Sequence, residues 1–374
     1  MLPALVFLAL AAFAAALLGS SQAGRATTVH LMLAVGAMPL ILGAMSHFIP
    51  VLTRTRAAST GLLGIPVLAL VGGALAVISF NVHDMVWARS AGALLAAAAA
   101  TALLVWSRQR RAGMLGRPHP GLAWYEAALA CLVLALLAIL AGTFWPQHMP
   151  ALRRLHLHLN TLGFIGLTAV STLAVLLPTA AGRPDPQSAE RLRRDLPWML
   201  SGVLLIATGS AWFPPLAWIG SVLWLVPIFR LAASWLRLYR SEILALHGAA
   251  PLLAAALAGL VISTVLDTVS AFYPAEPIWS FIAGFMLPLV SGAASQLLPV
   301  WLHPGVQTEW HARLRHSLGR YNGLRAVLFC CGGIATGMGW EWGVLPSLAA
   351  LIWFLLQTSA ALLAALNFQK RNPS

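Results

Sequence analysis

Eleven histidines punctuate a chain of 374 residues, and their neighbours single out a few. Arg153 and Arg154 stand directly before His156 and His158, His30 opens an apolar run that begins LMLAVGAMPLILG, and His83 is followed by Asp84. Neutral imidazole is the commonest metal ligand among side chains, and paired arginines match carboxylates. The chemistry these residues suit is therefore ligation of a metal or a haem whose acidic groups need cationic partners. Residues two apart on an α-helix point about 200° apart around its axis, so His156 and His158 cannot hold one ion together. A two-histidine zinc site prefers an i, i+4 pair, which weakens a zinc-protease reading. For each histidine alone, a hydrogen-bonded structural role remains the alternative.

The elements that must carry these residues follow from composition. With 60% hydrophobic residues, 9% charged and a mean hydropathy of +0.83, the chain has mostly lipid as its solvent, which excludes a soluble globular enzyme. Apolar runs long enough for a bilayer, at about 20 residues each, predict twelve spans: 2–19, 28–52, 60–80, 85–106, 121–144, 152–180, 195–212, 214–236, 247–271, 277–302, 320–340 and 343–367. The expected fold is thus an all-α integral membrane protein, a single transmembrane domain over 1–374 with no extramembrane domain. The run 2–19 has no charged leader before it and reads as the first helix rather than a signal peptide. Arg325 makes the span 320–340 the weakest.

A net charge of +13 points in this setting to topology and not to nucleic acid. With a cytoplasmic N-terminus, sixteen basic residues fall on the cytoplasmic side: Arg54, Arg56, Arg108, Arg110, Arg111, Arg117, Arg183, Arg191, Arg193, Arg194, Arg237, Arg240, Arg313, Arg315, Lys370 and Arg371. Three, Arg25, Arg153 and Arg154, fall outside, which predicts an N-in/C-in arrangement. His119, His311 and His316 then lie in cytoplasmic loops, with His47, His247 and His303 at cytoplasmic helix ends, and a solvated or interfacial role is expected of all six. His30, His83, His148, His156 and His158 lie on the outer side. Cys131, Cys330 and Cys331 fall inside spans as small apolar residues, with no disulfide framework.

Three spans repeat a pattern. GAMPLILGAMSHFIPVL from Gly36, GFIGLTAVSTLAVLLPT from Gly163 and GFMLPLVSGAASQLLPV from Gly284 have leading glycines 127 and 121 residues apart, and closing prolines Pro50, Pro178 and Pro299 that are 128 and 121 apart. Four spans per step predict a pseudo-threefold repeat of four-helix units. At a rise of about 1.5 Å per residue, His30, His156 and His158 sit at similar depth, one to two turns below the outer interface. Ionisable groups at such depth are costly enough to suggest function.

The run from His30 through MPLILGAMSHFIPVL resembles the second helix of haem-copper oxidase subunit I, where a ligand of the low-spin haem precedes a glycine-rich stretch ending in proline. HLHLNTLGFIGLTAVSTLAVLLPTAAG resembles that family's tenth helix, whose His-x-His serves two haems from opposite faces. Here the motif lies on the sixth span, while the tenth has Trp279 and Ser280 at the matching depth. The His-Pro-Glu-Val-Tyr sequence and the adjacent histidine pair of the copper site are missing. The reduced pattern is similar to that of the NnrS-like haem and copper membrane proteins, which are tied to nitric oxide metabolism. The resemblance implies haem b held by His30 with His158 or His156, the second histidine of the motif being preferred. Arg153 and Arg154 would meet the propionates. A copper ion, a second candidate cofactor, would draw on His83 and the remaining motif histidine.

The lack of Cys-x-x-Cys-His excludes covalent haem. The implied role is electron transfer or nitric-oxide handling in a bacterial inner membrane, with a gas ligand (NO or O2), a redox partner and membrane lipid as partners and no nucleic acid. Oxygen reduction at oxidase rates is not expected. A twelve-helix secondary transporter and a cofactor-free structural subunit are the competing readings.

Overall fold

The computed structural model describes the chain apart from residues 20, 21, 83, 84, 271 and 372–374 and the side chains of residues 60 and 366–371. The described residues contain no strand. Helices α1 (Leu2–Leu18), α2 (Arg25–Thr53), α3 (Gly64–Asn81), α4 (Val86–Ala112), α5 (Gly121–Phe144), α6 (Met149–Ala180), α7 (Ser188–Trp212), α8 (Pro214–Leu238), α9 (Ala250–Val269), α10 (Pro277–Leu302), α11 (Glu309–Gly319), α12 (Asn322–Gly337) and α13 (Val344–Arg371) follow in order. Nine helices among the described residues are long and apolar enough to cross a bilayer, so the chain is an all-α multi-pass membrane protein. The other three expected spans coincide with α1, of 17 residues, with α7, whose first turns hold Arg191, Arg193 and Arg194, and with α12, of 16 residues.

Several expectations need correcting. The segment 303–319 is not simply a loop, because α11 occupies most of it. Thr308 and His311 form its capping box: the Thr308 amide donates to His311 Nδ1 at 3.0 Å, and His311 Nε2 donates to the His303 carbonyl at 2.8 Å. His311 is only 2% exposed, so it is a structural cap and not a solvated residue. The positive residues Arg108, Arg110 and Arg111 belong to the last turns of α4, where cations complement exposed carbonyls.

The described residues form two compact units, one of Met1–Thr172 with Pro186–Pro227 and one of Leu173–Asp185 with Ile228–Ser374. In the first unit, helix backbones touch through glycine. Gly72 of α3 meets Gly92 of α4, Gly202 of α7 meets Gly220 of α8, and Gly73 faces the Ala34 carbonyl of α2. Van der Waals packing of small residues is what joins helices in lipid, and a side chain at these positions would hold them apart. Glu126 of α5 ties α4 to α5 through Arg111 at 2.7 Å and the Ser107 hydroxyl at 3.2 Å. Trp124 Nε1 donates to the Leu192 carbonyl at 2.9 Å.

The second unit uses the same device. Gly284 of α10 lies between Gly259 of α9 and Gly333 of α12, and Gly332 meets Ser347 of α13. Arg325, expected to truncate its span, is fully buried. Its Nη2 donates to the Leu318 and Arg320 carbonyls at 3.0 Å each and to Asn322 Oδ1, and the guanidinium faces Phe354 at 5.0 Å. Carbonyls left over where α11 ends carry partial negative charge, which offsets a cation that has no carboxylate partner among the described residues.

In α2, α6 and α10 one stretch is wound more widely, with i to i+5 hydrogen bonding: Leu31–Ala37, Leu159–Gly166 and Phe281–Met286. Each contains one of the glycines Gly36, Gly163 and Gly284. The glycines of the close helix crossings, Gly72, Gly202 and Gly332, are spaced by 130 residues in both steps.

Candidate metal centre

The residue immediately before each wide stretch is His30 in α2, His158 in α6 and Ser280 in α10. His30 and His158 occupy the same place in their helices and make the same bond. His30 Nδ1 donates to the Ala26 carbonyl at 2.8 Å, and His158 Nδ1 donates to the Arg154 carbonyl at 2.9 Å, each four residues back. A carbonyl can only accept, so Nδ1 carries the proton in both rings and Nε2 keeps its lone pair. His156 has the same tautomer by another route, its Nδ1 donating to the Ala135 carbonyl of α5 at 2.9 Å. Holding Nδ1 on a carbonyl in this way is how metal-ligating histidines are commonly oriented.

The rings of His30 and His156 come together. Their centroids are 6.4 Å apart and their planes differ by 12°. A metal held between two imidazole nitrogens at roughly 2.0 Å each, with each nitrogen about 1.1 Å from its own ring centre, would set the centroids roughly 6.2 Å apart. The stacked rings of His30 and His156 have a separation of that size. Phe80, at the end of α3, packs on the His30 ring with centroids 4.8 Å apart. Thr27 and Asn81 bond across the same junction, Asn81 Nδ2 donating to Thr27 Oγ1 at 3.2 Å.

The arginines divide. Arg153 lies within electrostatic reach of both His30 and His156, whereas Arg154 Nη1 donates to the Ser210 carbonyl of α7 at 3.3 Å. Both are exposed. His158 is 7% exposed, and the His30 ring lies against that of His156. The 200° between the two motif histidines makes them alternatives, and α5 supplies the carbonyl that turns His156 toward α2.

His83 and Asp84 lie outside the described residues. Among the described residues, no three histidine, cysteine, aspartate or glutamate side chains converge as a metal site. Asn160 was not signalled by sequence reasoning. Its Nδ2 donates to the His156 carbonyl at 2.9 Å and lies 3.2 Å from Nδ1 and 3.4 Å from Nε2 of that ring. The i, i+4 spacing of His156 and Asn160 was the available clue.

Comparison with protein-family models, with curated proteins and with solved structures gave no match for this chain.

Proposed function

We propose that the chain is a b-type haem-binding protein of the bacterial inner membrane, with His30 and His156 as the axial pair and Arg153, then Arg154, as cationic partners of the propionates. The observation that carries this reading is the near-parallel pair of imidazoles at 6.4 Å, each with its Nδ1 proton on a main-chain carbonyl. Haem b would supply a one-electron couple, which suits electron transfer; a nitric-oxide-related role would require one of the two histidines to give way to the gas. The chain's own part is to fix both tautomers, hold the rings between α2 and α6, and set a guanidinium beside them. Copper as a second metal would draw on His158 and His83.

The proposed frame has twelve spans in three four-helix units with both termini cytoplasmic. It is supported by the recurrence of the wide stretch at the same place in α2, α6 and α10 and by the 130-residue spacing of Gly72, Gly202 and Gly332. Polar side chains gathered at one end of α2 and α6 favour a membrane redox centre over a transporter with its site at mid-depth.

The test is spectroscopic. Protein purified in detergent from haem-replete cells should show a Soret band and a b-type pyridine haemochrome, and His30→Ala and His156→Ala should each lose or shift them. Colourless wild-type protein, or unchanged spectra in both variants, overturns the reading.

A further inference from the structure

Three arginine-bearing segments of the first unit are tied together at one end of the helices. The His119 amide donates to the Leu52 carbonyl at 3.1 Å, joining the α4–α5 connection to the last turn of α2. Trp124 Nε1, in the first turn of α5, donates to the Leu192 carbonyl and so fixes the start of α7 beside it. Arg193, next in the chain, lies within electrostatic reach of His119. Arg54 and Arg56 follow Leu52 directly, and Arg117 stands two residues before His119. These four arginines are exposed and have no ion pair among the described residues. Neighbouring carboxylates are already engaged: Glu126 with Arg111 at 2.7 Å, Asp195 with Arg194 at 2.8 Å, and Glu190 in the field of Arg194.

His119 gives this cluster a direction. Its Nδ1 accepts from the Gly121 amide at 3.1 Å, so the neutral ring carries its proton on Nε2. That N–H has no hydrogen-bond partner among the described residues, and the ring is half-buried. Topology alone asks for cations in such connections; it does not ask for a fixed, unused donor among them. Apolar side chains stand at the same place. Leu115, four residues before His119, is 94% exposed, and Val51, beside Leu52, is 64% exposed. Cations next to exposed apolar side chains at the ends of membrane-spanning helices suit the boundary between lipid headgroups and acyl chains. A free phosphate ion would gain nothing from Val51 or Leu115.

We propose that this cluster holds the headgroup of a net-negative phospholipid. Its phosphate oxygens accept from His119 Nε2 and Arg193, with Arg54, Arg56 and Arg117 around them, and its chains lie toward Val51 and Leu115. The site needs neither a haem nor a particular sidedness of the chain.

Phosphatidylglycerol is the probe, with phosphatidylcholine as a lipid that has the same phosphodiester and no net charge. Full-length protein, stripped of lipid in dodecyl maltoside, is titrated with each, and bound lipid per chain is counted by native mass spectrometry. Wild type should bind phosphatidylglycerol saturably and in preference to phosphatidylcholine, and inorganic phosphate in large excess should not displace it. A basic residue beside an anionic headgroup is worth about fivefold in binding, the loss expected of Arg117→Gln and of Arg193→Gln. Arg193→Lys should keep most of the affinity. His119→Leu, which removes a donor to a charged group, should lose about tenfold. Arg237→Gln, in the last turn of α8 and outside the cluster, should match wild type. Both arginines of the Gln variants at 117 and 193 are exposed, so these two proteins test the site even where His119→Leu fails to fold. Equal binding of the two lipids, displacement by inorganic phosphate, or Arg117→Gln and Arg193→Gln proteins that bind phosphatidylglycerol within twofold of wild type overturns the proposal.

Discussion

Replacing Gly72 with alanine adds one methyl group where α3 crosses α4. Built on the backbone, that Cβ falls 2.6 Å from the Gly92 carbonyl oxygen and 3.1 Å from the Ala96 amide nitrogen. Both neighbours are backbone, so neither can rotate aside. Ordinary contact begins at 3.4 Å, and the two helices must part locally by about 0.8 Å. A radial gap of roughly 0.5–1 Å forfeits a quarter to a half of each dispersion contact, and overpacking of this kind costs about 1–3 kcal/mol. The gain in helix propensity from glycine to alanine, about 1 kcal/mol, works the other way. Gly64, on the same helix with nothing within 4 Å of its Cβ position, isolates that gain. The difference in stability between Gly64→Ala and Gly72→Ala is thus expected to be about 1–3 kcal/mol, Gly72→Ala being the weaker, in SDS-driven unfolding from detergent micelles followed by circular dichroism. Gly202→Ala should behave like Gly72→Ala, because its Cβ would lie 2.8 Å from the Trp224 amide nitrogen and 2.9 Å from the Gly220 carbonyl oxygen. A Gly72→Ala protein as stable as Gly64→Ala would refute the argument that backbone contact sets these crossings.

The nearly parallel rings of His30 and His156 predict a rhombic low-spin signal in the electron paramagnetic resonance of the oxidised haem protein; a strongly axial signal with a large maximum g would contradict the 12° angle. Arg153→Gln should weaken haem retention about tenfold or more, as expected for a charge-assisted bond, and shift the midpoint potential, while Arg154→Gln, whose guanidinium bonds Ser210, should do less. Equal effects would remove the distinction. Burial, then the charge of Arg193, lowers the pKa of His119 below 6.5, and its Nδ1 accepts from the Gly121 amide at 3.1 Å. The unfolded chain therefore binds the proton more readily, so stability falls as pH drops below about 6.5. His119→Asn should flatten that slope in unfolding measured from pH 7.5 to 5.5. Reporter fusions after residue 374 and within 145–149 should report opposite compartments if the arginine asymmetry sets topology.

Much of the frame was legible because lipid imposes a simple grammar: long apolar runs become helices, and the positions of α2 to α6, α8 to α10 and α13 followed from hydropathy. Boundaries moved where charged residues continue a helix past the apolar run, as at Arg108–Arg111 and Arg191–Arg194. The helix α11 escaped because a surface helix rich in arginine and histidine leaves no apolar stretch. Arg325 misled for the reverse reason, since the carbonyls that accept from it are invisible in a side-chain pattern. At the candidate site, types and spacing singled out His30, His156, His158, Arg153 and Arg154, and the fold brings the rings of His30 and His156 together. Which motif histidine faces α2 depends on the Ala135 carbonyl of another helix, and no periodicity within α6 encodes that. Asn160 lay among apolar neighbours, and only the fold shows its amide donating to the His156 carbonyl.

Those wide turns also carry a history. A π-type turn takes up one residue more than the α-turn it replaces. The same widening stands in α2, α6 and α10 directly after His30, His158 and Ser280. On the proposed threefold arrangement, such a feature would have been made once and inherited by each copy, and the differences among His30, His158 and Ser280 would be the younger ones.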